Sequence, residues 1–342
     1  MVLPTIRKDV RIAGRIEDEM VCNTLALQDV YMARQRMTPI AQRTQLIASS
    51  PLSRLTGGKV YLKAENLQVT GSFKLRGAAN KISSLSQKAR QRGVIAVSSG
   101  NHGRAVSYVA KRLGVQATVV VSRSVPQNKC EAIRDLGAEL IVAGADADEA
   151  MQYADRLTQE RGLTMVHPFD DPRIIAGQGT IGLEIMEDLP NVDRVLAPLS
   201  GGGLISGIAF AIKASSPHTQ VIGVSMEQGP AMVDSLKEGR IVDVDEKPSL
   251  ADALVGGLNK DNRYTFNMVQ RYVDETILVS EDEIAAGMRF AVEQHQLIVE
   301  GGGAVGLAAL LSGKLQAPGE TIAVVLSGAN VSRRTLARVI AA

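Results

Sequence analysis

The chain has 342 residues, 45% of them hydrophobic, and a formal net charge of +2 from 38 basic and 36 acidic residues. Because a single core usually stops growing at roughly 250 to 300 residues, this length predicts two subdomains. Basic and acidic residues are mixed along the chain, so the sequence offers no run of positive charge for a nucleic-acid backbone. Aromatic residues make up 3% of the chain and tryptophan is absent, which leaves few side chains for stacking on bases. Nucleic acid is therefore not an expected partner.

The two cysteines, Cys22 and Cys130, fit neither a metal-binding spacing nor a disulfide framework, which favours a reducing compartment. The four histidines are scattered and predict no zinc site. No apolar run approaches the length of a membrane span, and the N-terminal residues include no apolar signal region. We therefore expect a soluble, cytoplasmic protein without a membrane partner.

The hydrophobic pattern of the first quarter of the chain predicts several short elements. Residues 1–23 show no strong period and predict an N-terminal extension. A helix is predicted at 25–37 and a loop at 48–53. Alternating polar and apolar residues predict a strand at 60–64, and good helix formers predict a helix at 78–89.

From residue 94 onward, strands and helices alternate regularly. The predicted strands lie at 94–98, 117–121, 140–142, 164–166, 192–197, 220–225, 276–279 and 322–326. The predicted helices lie at 102–113, 128–136, 148–159, 179–189, 204–214, 231–238, 281–295 and 303–312. Short apolar strands separated by helices are typical of parallel sheets covered on both faces, so we predict an α/β protein with two such sheets. The turn-rich stretch 167–172 indicates a crossing between domains.

Lys74 lies in a turn of small residues that opens a predicted helix. The positive end of a helix dipole disfavours the ammonium form and favours a neutral, nucleophilic amine, which can form a Schiff base. An ordinary solvated lysine at a helix start is the alternative interpretation.

Two further segments connect a predicted strand to a predicted helix. The sequence Ser-Ser-Gly-Asn-His-Gly at 98–103 would place the first amides of a helix in the crevice at the carboxyl end of a strand. Amides in this position suit a carboxylate. Ordinary helix capping uses the same residue types and is the alternative interpretation. The run Ser-Gly-Gly-Gly-Leu at 200–204 can close backbone amides around a phosphate. It is not a Walker loop, and a tight turn accounts for one or two glycines more easily than for three.

A G-x-G-x-x-G sequence at 177–182 raises the alternative of a nicotinamide dinucleotide site. The motif is specific only directly after a buried strand, and only residues 173–176 are available to form one here. We interpret it as a device for helix packing. The segment Glu300-Gly301-Gly302-Gly303 is treated in the same way: it opens the predicted helix at 303–312 or lines the pocket.

Taken together, segments 71–78, 98–103, 201–203 and 327–328 resemble the serine/threonine dehydratase family, which are pyridoxal phosphate (PLP) enzymes of fold type II, similar to the tryptophan synthase β chain. The resemblance covers about residues 24–342 and is closest to the hydroxyectoine utilisation dehydratase branch at 251–263. It implies a two-domain fold, each domain a parallel sheet flanked by helices.

The resemblance also implies domain boundaries. Residues 24–92 and 168–342 would form a large cofactor-binding domain, and residues 93–167 a small domain inserted between them. No C-terminal regulatory domain is expected, because the chain ends at residue 342.

Roles for individual residues come from the same resemblance. Lys74 would hold PLP as a Schiff base and then remove the α-proton, and Ser99 matches the second acid/base of the family's racemases. Further cofactor contacts are implied for Phe73, Asn101, Ser200, Gly201, Gly202, Gly203, Leu204 and Ser327, the last facing the pyridine nitrogen. The substrate carboxylate is expected at Ser98, Ser99, Gly100, Asn101 and His102.

The implied reaction is β-elimination of a small β-hydroxy amino acid, such as threonine or serine, to a 2-keto acid and ammonia. Alternatives are a hydroxyectoine-derived substrate, 3-hydroxyaspartate paired with Arg104, racemisation, or a PLP-binding regulatory protein without turnover. A homo-oligomer, dimer or tetramer, is expected. No metal is expected, because Glu227 and Ala231 match a cation site of some members while Val233 occupies a third ligand position.

Overall fold

The structure, a computed structural model, describes residues 25–258 and 261–341. The predicted extension at residues 1–23 lies outside the described residues. The strands are β1 Leu46–Ala48, β2 Lys59–Lys63, β3 Val94–Val97, β4 Ala117–Val121, β5 Glu139–Val142, β6 Thr164–Met165, β7 Arg194–Pro198, β8 Gln220–Met226, β9 Glu275–Val279 and β10 Thr321–Val325.

The helices of the described residues alternate with these strands. They are α1 Leu27–Met37, α2 Ser50–Thr56, α3 Lys74–Ser83, α4 Gln87–Arg92, α5 Asn101–Leu113, α6 Gln127–Asp135, α7 Ala147–Arg161, α8 Pro172–Asp188, α9 Gly203–Ser215, α10 Ala231–Glu238, α11 Thr265–Tyr272, α12 Glu281–His295, α13 Gly301–Leu311 and α14 Arg333–Ala341. Short 3-10 helices cover Glu65–Leu67 and Asp252–Leu254.

The strands form two sheets, as predicted. The larger has the order β1-β2-β10-β7-β8-β9 and is parallel except for β1, which pairs with β2 in the antiparallel sense. The smaller has the order β5-β4-β3-β6 and is parallel throughout. Strands β7 and β10 are buried along almost their whole length, as expected for apolar strands that helices cover on both faces. The smaller sheet lies wholly within residues 94–165.

Several element boundaries differ from the prediction. The predicted loop at 48–53 is wrong: the Ser49 hydroxyl accepts the Leu52 amide and caps helix α2, which has a proline in its first turn. The predicted helix at 78–89 is divided in two, because α3 begins at Lys74 and ends at Ser83, and Ser86 caps the new helix α4. Strand β1 and helices α11 and α14 were not predicted.

The G-x-G-x-x-G sequence lies inside α8, with residues 173–176 also helical, so no strand precedes it. A Cβ on Gly177 would lie 2.7 Å from the Cα of Gly77 in α3, and a Cβ on Gly182 would lie 2.7 Å from the carbonyl oxygen of Ile208 in α9. These glycines let α8 approach its neighbours closely. The interpretation as a packing device is confirmed.

Among residues 25–258 and 261–341, no helix combines the length and apolar composition needed to cross a bilayer.

Candidate active site

A cavity of about 660 Å³ opens where strands of both sheets end. Ser98 follows β3, Ser200 follows β7 and Ser327 follows β10, so the cavity lies at the carboxyl ends of parallel strands, where open α/β sheets bind ligands. All predicted site residues except Ala231 and Glu227 line it: Phe73, Lys74, Ser98, Ser99, Gly100, Asn101, His102, Ser200, Gly201, Gly202, Gly203, Leu204 and Ser327.

Lys74 is the first residue of α3, and its Nζ donates a hydrogen bond to the carbonyl oxygen of Pro168 at 2.6 Å. The same nitrogen lies 5.2 Å from the centre of the Phe73 ring. Burial lowers the pKa of the Lys74 ammonium to about 8, against a smaller opposing effect of the Glu300 carboxylate. The predicted direction of the shift is confirmed, and its main cause is burial.

The turn that carries Lys74 is attached to the end of β10. Ser72 forms an isolated antiparallel bridge with Gly328, and the amide of Phe73 donates to the carbonyl oxygen of Ser327 at 3.0 Å. Ser327 itself is 4% exposed, with its Oγ 3.5 Å from the carbonyl oxygen of Gly302. Lys74 and Ser327 are thereby held on neighbouring walls of the cavity.

The glycine run supplies unpaired backbone donors at the start of α9. Within the described residues, the amides of Gly201, Gly202, Gly203 and Leu204 have no acceptor at hydrogen-bond distance. Gly202 has a φ of +85°, which turns the chain into the helix. Free amides at a helix N-terminus form an anion site, so this end of the cavity suits a phosphate.

Phe169 packs directly against the glycine run. A Cβ on Gly201 would lie 2.5 Å from the Phe169 ring, and one on Gly203 would lie 2.8 Å from the same residue. Phe169 was not among the predicted site residues. It lies in the stretch 167–172, which was predicted only as a crossing between domains.

This crossing connects several parts of the site. The Pro168 carbonyl accepts from Lys74, and the Asp170 carboxylate accepts three consecutive amides at 263–265, where α11 begins, at 2.7 to 3.0 Å. Asp171 caps α8 and forms an ion pair with Lys81 of α3. The position of the crossing is therefore coupled to the helix that begins at Lys74.

The segment 98–102 presents a second set of donors. Among the described residues, the amides of Ser99, Asn101 and His102 find no acceptor, whereas the Gly100 amide donates to the Ser98 hydroxyl at 3.2 Å. The His102 ring donates from Nε2 to the Val166 carbonyl at 2.7 Å, and burial lowers its pKa to about 3. His102 therefore offers a carboxylate its backbone amide and not its side chain.

The Asn101 side chain belongs to a chain of hydrogen bonds that was not predicted. Its Nδ2 donates to the Glu300 carboxylate at 2.6 Å, and its Oδ1 accepts from Asn330 at 2.6 Å. Arg104 donates in turn to Asn330 at 2.5 Å. One hydrogen of Asn101 Nδ2 remains for a ligand. If Arg104 paired with a second substrate carboxylate, that contact would compete with the hydrogen bond from Arg104 to Asn330.

The proposed cation-site residues lie elsewhere. The Glu227 carboxylate accepts from Lys314 at 3.3 Å, and Ala231 begins α10. Within the described part of the chain, no group of three or more His, Cys, Asp or Glu side chains is arranged to hold a metal.

Comparison with known proteins identifies the family. A family model described as pyridoxal-phosphate dependent enzyme matches residues 37–328. The chain belongs to this family. A putative threonine dehydratase of Sinorhizobium fredii is 52% identical over 309 residues, covering 90% of this chain and 93% of that protein. An L-threonine ammonia-lyase of Thermotoga maritima is 48% identical over 316 residues, covering 92% of this chain and 78% of that protein.

Solved structures agree with this assignment. Maize serine racemase superimposes with a TM-score of 0.87 at 32% identity, covering 92% of this chain and 96% of the other. The processed form of threonine deaminase isoform 2 from Solanum lycopersicum gives a TM-score of 0.82 at 34% identity, covering 98% of this chain and 94% of the other. The predicted fold type II architecture is confirmed.

The residues of this PLP-dependent enzyme fit the cofactor. The unpaired amides at 201–204 suit its phosphate, and Lys74 supplies an amine with a lowered pKa. Asn101 retains one donor hydrogen, and among the described residues the Ser327 hydroxyl makes one long contact, to the carbonyl oxygen of Gly302. The site thus has complementary groups for each polar part of PLP.

Glu300 should make the stability of the PLP-free enzyme depend on pH. Burial raises the pKa of its carboxyl from 4.5 to about 7 in the folded state, although the hydrogen bond from Asn101 opposes the shift. Between these two values the folded state retains a proton that the unfolded state has lost, so stability falls as pH rises, by up to about 3 kcal/mol. In Glu300→Gln this contribution should disappear while the amide oxygen still accepts from Asn101.

Urea unfolding of both proteins without PLP, from pH 4.5 to 7.5, measures the effect. The stability of the glutamine variant relative to the parent should increase as pH rises toward 7 and then level off. Parallel pH curves for the two proteins would show that Glu300 titrates at its ordinary value.

Proposed function

We propose that this chain catalyses PLP-dependent β-elimination of L-threonine, giving 2-oxobutanoate and ammonia. The observation that carries the proposal is the half-buried Lys74 amine, lowered in pKa to about 8, in a cavity that also presents two sets of unpaired helix-start amides. L-Threonine ammonia-lyases and dehydratases that match most of this chain at 40 to 48% identity support the same substrate.

The two sets of amides divide the binding work. The amides at 201–204 hold the cofactor phosphate, and those of Ser99, Asn101 and His102 hold the substrate carboxylate. These contacts would place the substrate α-carbon near Lys74. The side-chain amide of Asn101 would orient the cofactor ring. Ser99, on the same wall, is available as a second acid/base.

Lys74 carries the proton transfer. When bound, PLP withdraws electrons from the substrate α-carbon, which makes its proton removable and allows hydroxide to leave the β-carbon. Lys74 would hold the cofactor through its amine and would accept the substrate α-proton at Nζ. A pKa near 8 makes this amine an effective base close to neutral pH. Water lost from the substrate is regained when the released enamine hydrolyses, so no other reactant is needed.

Ser327 favours elimination among the reactions open to PLP. Ser327 lines the cavity, and its neutral hydroxyl would face the pyridine nitrogen, where it would not stabilise a ring proton as a carboxylate would. The cofactor is then a weaker electron sink, which suits a short-lived carbanion that expels a β-leaving group.

A substrate panel tests the proposal. The purified holoenzyme is incubated with L-threonine, L-serine, threo-3-hydroxyaspartate, phenylserine and hydroxyectoine-derived amino acids, and 2-keto acid and D-amino acid are both quantified. We expect 2-oxobutanoate from L-threonine as the leading product. Accumulation of D-amino acid without keto acid would show that the enzyme racemises its substrate and does not eliminate. A coloured protein that converts no member of the panel would contradict the proposal that the chain is a catalyst.

We further propose that the enzyme is a cytoplasmic homo-oligomer, dimer or tetramer, with a large domain of residues 24–92 and 168–342 and a small domain of 93–167. The cysteine spacing supports a reducing compartment, and the confinement of the smaller sheet to residues 94–165 supports the division. Light scattering of the purified protein measures the oligomeric state.

A further inference from the structure

Four charged side chains form a solvent-excluded cluster beneath the site. Lys63, Glu65 and Arg76 are 0% exposed and Glu184 is 2% exposed. Lys63 donates to Glu184 at 2.6 Å, and Arg76 pairs with both carboxylates. Two positive and two negative charges balance, which is the condition under which charges can be buried together.

Arg76 occupies the centre of this cluster. Its Nε and Nη2 donate to Glu65 at 2.8 and 2.7 Å, and its Nη1 and Nη2 donate to Glu184 at 2.6 and 2.8 Å. A further bond runs from Nη1 to the Thr180 hydroxyl at 3.0 Å. The planar guanidinium is therefore fixed against two carboxylates at once, a geometry that a lysine ammonium cannot reproduce.

The position of Arg76 in α3 gives this arrangement a consequence for the site. Arg76 follows Lys74 by two residues in the first turn of the helix. Residues two apart in a helix project about 200° from each other around its axis. Lys74 therefore points into the cavity while Arg76 points into the protein interior. Any rotation of this turn that moved Arg76 would also move the Lys74 amine.

We propose that Arg76 is a positioning residue for Lys74. Its paired bonds to Glu65, which follows β2, and to Glu184 of α8 fix the rotation of the first turn of α3 and so the direction of Lys74 Nζ. The inference rests on the proposed role of Lys74 as the residue that holds PLP. The new element is that contacts on the opposite face of α3, made by Arg76, set the direction of the Lys74 amine.

The test compares Arg76→Lys with Lys63→Met in the holoenzyme. Both changes disturb the cluster, but Lys63 lies on β2 and not on the helix that carries Lys74. For Arg76→Lys we expect kcat for L-threonine to fall roughly 10- to 100-fold with KM within about twofold, as expected when a reacting group is displaced by about 1 Å. Lys63→Met should lose stability while keeping kcat within about twofold.

A second readout needs no substrate. After removal of PLP, the rate at which added PLP becomes covalently bound at Lys74 is followed by visible absorbance, at a temperature where circular dichroism shows each variant folded. We expect this rate to fall in Arg76→Lys and to be retained in Lys63→Met. This rate tests Arg76 even if the parent protein does not turn over L-threonine.

Glu65→Gln provides a milder variant in case Arg76→Lys does not fold. It keeps the volume of the side chain and weakens one of the two paired contacts, so an intermediate loss of both rates is expected. Parent-like kcat and parent-like PLP binding rates in the folded variants would overturn the proposal and leave Arg76 a purely structural residue.

Discussion

Replacing Lys74 with alanine should lower kcat for keto acid formation by roughly 10⁴-fold, since the change removes both the covalent link to PLP and the base. The remaining anchors, the amides at 201–204 and the Asn101 side chain, should still bind PLP noncovalently. Keto acid release measures the rate. Borohydride reduction followed by mass spectrometry measures the covalent link, which should be present in the parent and absent in the variant.

Lys88→Ala is the matched control, because Lys88 is an exposed lysine of the neighbouring helix α4. It should retain parent turnover and the reducible link. If Lys74→Ala kept more than about a tenth of the parent kcat, the α-proton would have to be removed by another group, and the assignment of Lys74 as the base would fail.

The largest effect on stability is expected for Glu184→Gln. The substitution keeps the side-chain volume but leaves Lys63 and Arg76 buried with only Glu65 to balance them. Removing one partner from a buried ion cluster typically costs about 3 to 5 kcal/mol. Urea unfolding at neutral pH should show a correspondingly lower midpoint with an unchanged slope.

Glu187 in the same helix provides the comparison. Its carboxylate pairs with Arg34 and Arg43, but its side chain is 42% exposed, so solvent screens the interaction. Glu187→Gln should cost less than about 1 kcal/mol. Equal losses from the two substitutions would mean that the inner cluster contributes no more than a surface ion pair.

Much of the fold was predictable because its strands are short apolar runs separated by helices. Strands β7 and β10 appear in the sequence as such runs, and burial on both faces explains why. Where local capping decides the outcome, prediction failed. Ser49 and Ser86 each cap a helix, α2 and α4, whose start was not predicted.

The site was predictable where one segment contains a complete chemical signal. The lysine turn and the glycine run are of this kind, and their roles stay predictions for the experiments above to test. Glu300 was predicted only as part of a segment that lines the pocket, and Asn330 and Phe169 were not predicted, because each acts through a partner far away in sequence. No local pattern distinguishes such a residue from an ordinary buried acid, loop amide or core aromatic side chain.

The strand order of the larger sheet has a consequence for synthesis of the chain. Strand β10, the last in sequence among the described strands, pairs with β2 on one side and β7 on the other. A nascent chain therefore leaves the ribosome with the edges of β2 and β7 unpaired until β10 emerges. Unpaired apolar edges promote association between chains, and pairings so distant in sequence form slowly. Assembly of the lysine turn against Ser327 is then one of the final events in the maturation of the protein.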